Sequence, residues 1–361
     1  MKYWSIKPIL EKNCRYNIVI GERSNGKTFA TLKYGLDNWI KKGEQFAIIR
    51  RWADDFKGKR GATMFDALVN NHVVTELTNG EYNGIYYYSG RWYLTKIDED
   101  GKSIKQDTPF AYAFAISSQE HDKSTSYPNV KTIIFDEFIT RGMYLPDEFV
   151  LFMNVLSTII RERDDVKIFM LGNTINQYSI YFNEMGIYKI KDMKAGTIDV
   201  YSYGTSNLKV AIEYCGTSKT QKKKSDVYFA FNNPKLNMIT QGGWEIDVYP
   251  HLPIKYVKKN ILFTYFILFD GYKLQCEIVN VENCLFTYIH KKTTPLKDED
   301  NDLIFTTDYS AKPNYRRKIS KPIDNAGKKI YEFFLKEKVF YQDNQIGEIV
   351  RNYLNWCIHE E

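Results

Sequence analysis

The sequence predicts an α/β domain with a largely parallel sheet, then a polar linker, then a smaller α+β domain. Three observations carry this prediction. A glycine-rich loop sits between a short apolar run and a helical pattern. Strand and helix patterns alternate to about residue 200. From Ile261 onward, strand patterns instead follow one another directly, before two closing helical ones.

Taken in order, Tyr16-Asn17-Ile18-Val19-Ile20 reads as a buried strand. Lys27 to Asn38 reads as a helix with Phe29, Leu32 and Leu36 on one face. Between them lies Gly21-Glu22-Arg23-Ser24-Asn25-Gly26-Lys27-Thr28, which fits the P-loop pattern G-x-x-x-x-G-K-[ST] at every fixed position. Glycine lets backbone N–H groups turn inward around phosphate oxygens, and the helix N-terminus adds partial positive charge. The eight residues are therefore candidate ATP ligands. Lys27 would neutralise the β- and γ-phosphates, and the Thr28 hydroxyl would be a ligand to Mg2+.

Gln45 to Arg50 completes a βαβ unit, closed by Arg50 and Arg51. Residues 53–82 read as partly helical. Ile85–Tyr88 and Trp92–Thr95, joined at Ser89-Gly90, predict a hairpin, and Phe110–Ile116 a further strand. Thr132-Ile133-Ile134-Phe135 is β-prone and ends in Asp136-Glu137. Pro146-Asp147-Glu148 is expected to open a helix, with Phe149, Phe152, Met153, Leu156 and Ile160 as its buried stripe. Val166–Leu171 predicts another strand, ending at Gly172-Asn173-Thr174. These readings place the first domain at residues 1–205, a linker at 206–245 and the second domain at 246–361. The polar run from Gly216 to Ser225 marks the linker. In the second domain, strands over Phe263–Phe269, Tyr272–Val279 and Cys284–Ile289 alternate with turns at Asp270-Gly271 and Asn280–Asn283. Helices follow over Asp324–Lys336 and Asn344–Cys357.

Composition bounds the function. Fifty basic and 44 acidic residues leave a net charge of +6, which permits a polyanionic partner without requiring one. The aromatic share of 16% reads first as core packing and second as base stacking. Five cysteines without CxxC pairs argue against a zinc site or a disulfide framework and fit a reducing compartment. The Cys357–His359 pair has no second ligand pair beside it. The longest apolar stretch, Ile261–Phe269, is too short to span a bilayer, and no signal-peptide core opens the chain. A soluble intracellular protein is expected.

Asp136-Glu137 supplies what a P-loop site lacks. An acid at the end of a neighbouring strand holds Mg2+, here Asp136. A second carboxylate, Glu137, polarises the attacking water as general base. A glutamate directly after the aspartate favours ATP hydrolysis over kinase chemistry. Asn173 ends the next strand at the ligand edge and is a candidate γ-phosphate sensor, with ordinary turn chemistry as the bland reading. Arg161 and Arg163 end a helix, where cations are favoured in any case. One of them could reach a neighbouring subunit's γ-phosphate, and Arg23, Arg141 and Lys123 compete for related roles. Arg161 is preferred.

GERSNGKT (21–28), GEQFAIIRRW (43–52), SYPNVKTIIFDEF (126–138) and LGNT (171–174) fall in one order and spacing. They resemble the DNA-packaging ATPases, or encapsidation proteins, of φ29-like short-tailed bacteriophages. YQDNQIGEIVRNYL (341–354) resembles the final helix of those proteins. The resemblance implies an ASCE-type ATPase domain and a C-terminal domain of RNase H-like fold without nuclease function. It implies a homo-oligomeric ring, usually of five, on the portal of a procapsid in the host cytoplasm, absent from the mature virion and driving double-stranded DNA inward. A packaging RNA accompanies some relatives. By position, Lys27 and Thr28 carry over as phosphate and Mg2+ ligands, Asp136 and Glu137 as the acidic pair, Arg161 as the trans-acting finger and Lys123 as a second trans candidate. In the second domain Asp270, Asp298, Glu299, Asp300, Asp302 and Asp308 all read as turn or loop acids. No acid stands out on a central strand, so nuclease activity is not expected. Lys291, Lys292, Arg316, Arg317 and Lys318 are candidate nucleic-acid contacts, against a solvated-surface reading. Two other functions stay open on the residues alone: a DNA motor of helicase or clamp type, and a nucleotide-gated nucleic-acid adaptor.

Overall fold

Strand β1 (Tyr16–Gly21) is buried along nearly its whole length, because both of its faces are covered. Ile18 and Ile20 point into one core, and Val19 into the other. The computed structural model describes residues 3–98, 101, 103–118, 125–204, 206–216, 244 and 246–359. By contacts the chain forms two units, Met1–Trp244 and Glu245–Glu361.

In the first unit, short helix α1 (Lys7–Leu10) precedes β1, and α2 (Lys27–Lys42) follows the glycine-rich loop. Strand β2 (Gln45–Arg50) comes next, then short helices α3 (Lys59–Ala62), α4 (Asp66–Asn70) and α5 (Val73–Leu77). The predicted hairpin is β3 (Gly84–Tyr88) and β4 (Arg91–Ile97). Ser89 and Gly90 both have positive φ, as a two-residue type I′ turn requires. Then come β5 (Ser103–Lys105), β6 (Ala111–Ala115), β7 (Val130–Asp136), α6 (Glu148–Ile160) and β8 (Lys167–Asn173). Helix α7 (Ile180–Glu184), β9 (Thr197–Ser202) and β10 (Lys209–Tyr214) complete the unit.

Among the described residues these strands form one ten-stranded sheet in the order β3-β4-β6-β2-β7-β8-β1-β10-β9, with β5 on β4. The run from β6 to β10 is parallel throughout, and the antiparallel pairings lie outside it, at β4, β3 and β5 and at β9. Helix α2 covers one face through Leu32 and Leu36, and α6 the other through Phe152, Val155, Leu156 and Ile159. Gly35 lets α2 approach β2 closely, since a Cβ there would sit 2.8 Å from the Phe46 ring. All parallel strands end on one edge, so Gly21, Arg50, Asp136 and Asn173 converge there.

Two expectations need correction. The linker expected from residue 206 begins instead with a strand. Strand β10 pairs with β1 from Tyr16↔Val210 to Ile20↔Tyr214, because Val210, Ala211 and Ile212 fill a core place beside β1. The remainder of the linker, including the basic run after Gly216, lies outside the described residues apart from Trp244. Helix α6 starts at Glu148, so Pro146 and Asp147 precede it. Asp147 has a left-handed backbone and makes no side-chain cap, while Glu148 turns into the interior.

The second unit is a sheet in the order β15-β14-β11-β12-β13-β16. Strands β11 (Ile261–Phe269), β12 (Tyr272–Val281) and β13 (Cys284–Lys291) form an antiparallel meander. Strands β14 (Ile304–Thr306) and β15 (Tyr315–Arg316) add in parallel beyond β11, and β16 (Val339–Tyr341) lies parallel to β13. Counted in chain order, the first five of these strands lie in the order 3-2-1-4-5. Asp270-Gly271 and Glu282-Asn283 make the tight turns with positive φ, the second falling two residues later than expected at its start. Helices α8 (Asn325–Leu335) and α9 (Asn344–His359) bring Ile330, Phe333, Ile349, Val350 and Tyr353 into the core. Asp324 caps α8, accepting the Gly327 N–H at 2.7 Å.

Candidate nucleotide site

The loop between β1 and α2 turns through Ser24 (φ 58°) and Gly26 (φ 89°). Gly21 has no room for a side chain, because a Cβ would meet the Cys215 Cβ at 2.8 Å. Lys27, only 6% exposed, lays its ammonium across the loop mouth. Its Nζ donates to the carbonyls of Gly21 (3.3 Å) and Glu22 (2.8 Å), to Asn25 Oδ1 (3.1 Å) and to Asn173 Oδ1 (3.2 Å). These four oxygens hold a buried ammonium at the mouth of the loop, where its charge favours an anion.

Opposite it, Thr28 Oγ1 donates to Asp136 Oδ1 at 3.1 Å. Arg50 then spans both acids: one terminal nitrogen meets Asp136 Oδ2 and the other Glu137 Oε2, each at 2.6 Å. Strand register brings this about. Ile49 pairs with Phe135, so the next residues, Arg50 and Asp136, leave the sheet side by side. Burial pushes the Asp136 carboxyl above its ordinary range, and the Arg50 charge pulls it back. The Thr28 hydroxyl and the Asp136 carboxylate are adjacent hard oxygen donors, which suits Mg2+.

Glu137 carries positive φ (61°), unusual for a non-glycine residue and common at functional turns. A buried network holds this turn. Arg51 donates from Nε to Glu148 Oε2 at 2.7 Å and from a terminal nitrogen to the Phe138 carbonyl at 2.8 Å. Glu148 also accepts from Tyr181 OH (2.7 Å) and the Leu145 N–H (2.8 Å). Tyr144 lies under the guanidinium, 5.0 Å from its ring centre. Burial works against the Arg51 charge, but Glu148 outweighs it and the guanidinium stays above its ordinary value.

The structure therefore brings together Gly21, Lys27, Thr28, Asp136, Glu137 and Asn173. Arg23 is exposed on the loop, and Glu22 is buried. Arg161 ends α6, at the far end from the site: β7 and α6 run in sequence, so α6 returns toward the edge where β8 begins. At 13 residues this helix spans about 20 Å. Arg161 donates to the Thr125 carbonyl at 3.1 Å and cannot serve its own loop. Arg163 is bound into the fold, donating to the carbonyls of Tyr127, Pro128, Val130 and Ile159. Lys123 lies outside the described residues. Sequence reasoning noted Arg50 and Arg51 only as strand closers and missed Glu148, the partner of Arg51. Two arginines at the ligand edge of a strand were the available signal.

In the second unit, Arg316, Arg317 and Lys318 line a cavity of about 330 Å³ with Lys321 and Asp324. Arg316 pairs with Asp324 at 2.9 Å, and Arg317 stacks on Tyr309 with its guanidinium 3.7 Å from the ring centre. Lys292 donates elsewhere, to Thr294 at 2.9 Å. Contrary to expectation, a central strand does carry an acid. Glu277 on β12 is 7% exposed and accepts from Tyr256 and Gln275, each at 2.5 Å. Its position in the alternation of β12 concealed it. Among the described residues, no group of three or more His, Cys, Asp or Glu is placed to hold a metal ion.

Comparison with known proteins gives concordant matches. The model of the podovirus DNA encapsidation protein (Gp16) family matches residues 1–191. The DNA packaging protein of Bacillus phage phi29 is 32% identical over 176 residues, covering 46% of this chain and 46% of that protein. Its counterpart in Bacillus phage B103 is 34% identical over 172 residues, covering 46% and 47% respectively. The match thus spans about half the length of these curated relatives. The solved gp11 DNA packaging motor of Phi-28 aligns over 99% of both chains with a TM-score of 0.56 at 18% identity, a likeness of fold.

Proposed function

The chain belongs to the podovirus DNA encapsidation protein (Gp16) family, and from that premise we propose that it is the ATP-hydrolysing subunit of a viral genome-packaging motor. The observation that carries this reading is the cluster at the sheet edge: Lys27 over the phosphate loop, Thr28 against Asp136, and Glu137 beside them. In this reading Lys27 exchanges its loop carbonyls for the β- and γ-phosphate oxygens. Thr28 and Asp136 hold Mg2+, which supplies charge neutralisation at the phosphates when bound. Glu137 takes the proton of the attacking water, once Arg50 releases its carboxylate. Asn173, which accepts a hydrogen bond from Lys27, would report the γ-phosphate to β8.

The reading extends to assembly. A homo-oligomeric ring, five-fold as in the resemblance above, would put Arg161 of one subunit at the site of the next, through a heterologous contact that closes. Such an arginine contributes about 10³–10⁵ in rate. The ring would act on double-stranded DNA at the portal of a procapsid. Basic residues would grip the phosphate backbone in turn as ATP is bound and hydrolysed.

Steady-state ATP hydrolysis with and without double-stranded DNA tests the proposal, using the wild type and Glu137→Gln. DNA stimulation that vanishes in the variant, with ATP still bound, is the expected result. Slow hydrolysis indifferent to DNA in an assembled ring would refute the motor.

A further inference from the structure

The sheet order gives the phosphate loop two unlike flanks. Strands β8, β7 and β2 lie on one side of β1 and end in Asn173, Asp136 and Arg50, whereas β10 and β9 lie on the other. Lys27 reaches toward Asn173 and Thr28 toward Asp136. The γ-phosphate end of a bound triphosphate therefore faces the β8–β7 flank. A linear triphosphate threaded through the loop then delivers its sugar and base to the opposite flank, beside β10.

On that flank sits a pair of aromatic residues that the phosphate chemistry does not use, Tyr3 and Trp4. The Trp4 backbone N–H donates to the Asn25 carbonyl, inside the loop, at 3.0 Å. Its indole Nε1 donates to Glu213 Oε1, on β10, at 2.8 Å. Glu213 is 9% exposed and its other oxygen is enclosed without a partner, so the indole N–H is what repays burying this carboxyl. Trp4 is thereby pinned at two points, to the loop and to the strand beyond it. Tyr3 lies directly over Gly26, where a Cβ would come within 3.2 Å of both its Cβ and its ring. Yet Tyr3 is 61% exposed, a large aromatic surface left open next to the loop.

We propose that Tyr3 is a stacking platform for the nucleobase of ATP, with Trp4 as the residue that positions it. The proposal rests on the reading of Gly21–Thr28 as an ATP site. An aromatic ring gives a base an apolar face with matched quadrupole, and each such stack is worth on the order of tenfold or more in affinity. Pinning by Trp4 reduces the ordering cost that a free ring would add on binding. Gly26 contributes by absence: any side chain there would displace the ring.

The test separates base from phosphate. Binding of Mg-ATP and of Mg-tripolyphosphate, which has no base, is measured calorimetrically on the full chain for wild type, Tyr3→Ala and Tyr3→Phe. Tyr3→Ala should weaken ATP about tenfold and leave tripolyphosphate unchanged, and Tyr3→Phe should bind both as wild type does. Equal weakening of both ligands would mean that Tyr3 merely props the loop, and unchanged ATP affinity would mean that it touches no base. Either outcome overturns the platform while leaving the ATP site standing. A wild type that binds neither ligand would remove the ATP reading itself and the platform with it.

Discussion

Replacing Arg51 with methionine tests whether a buried ion pair sets the geometry of the turn at Glu137. Arg51 is 7% and Glu148 is 1% exposed, so the substitution strands a carboxylate in the interior. Glu148 would retain the Tyr181 hydroxyl and the Leu145 N–H, but no countercharge. Breaking one side of such a pair costs about 3–5 kcal/mol. At about 2–4 °C per kcal/mol for a unit of this size, the unit should melt roughly 6–20 °C lower. The double variant Arg51→Met/Glu148→Leu removes both charges and should recover much of that loss, since apolar replacement of a buried pair is commonly neutral or better. Function should divide differently. Arg51 also bonds the carbonyls of Glu137 (3.5 Å) and Phe138 (2.8 Å), so both variants should keep ATP binding and lose kcat through a misplaced Glu137. Thermal melts followed by circular dichroism, with ATP affinity and turnover below the transition, read all three quantities. A single variant less than about 1 kcal/mol destabilised, or a double variant no better than the single, would refute the argument.

Three further expectations concern Asp136, Arg161 and Gly35. Asp136 is held above its ordinary value of 3.8 by burial and pulled back by Arg50, so Mg2+-dependent ATP binding should fail on the acid side at higher pH than an exposed aspartate would allow. Arg50→Ala removes the opposing charge and should move that limb to still higher pH in an ATP-binding profile. Stability runs the other way, because a raised carboxyl stabilises the fold while protonated and loses that contribution as pH rises through its folded value. Arg161→Ala should abolish assembled-ring hydrolysis without weakening ATP binding, and mixing it with Glu137→Gln subunits should restore some activity; no recovery would sink the trans assignment. Gly35→Ala forces a methyl against the Phe46 ring at 2.8–3.0 Å and should cost about 1–3 kcal/mol in urea unfolding, with catalysis intact below the transition.

Much of the site was legible in the chain because its signals are local. A phosphate loop is a contiguous octapeptide whose glycines and lysine act at fixed spacing. The buried strands of a parallel sheet announce themselves as apolar runs, and Asp136-Glu137 closes one of them. Asn173 was readable for the same reason, as the polar end of such a run. The sequence by itself determined these elements, their chemistry and their order.

Tertiary structure decided adjacency. That β8 stands between β1 and β7, setting Asn173 beside Lys27, is a matter of which strand edges pair across 146 residues. Arg50 meets Asp136 and Glu137 only because β2 lies against β7 in one register, and a slip of one residue would send its side chain to the other face. The strand β10 hid in apparent linker because six residues of modest pattern become a strand only beside a partner, and Glu148 looked like a helix-opening acid until Arg51 met it from another strand. Periodicity records the face a residue presents along its own element. It carries no record of the neighbour that face will meet, since pairing energy arises between segments far apart in the chain and is settled only when the sheet closes.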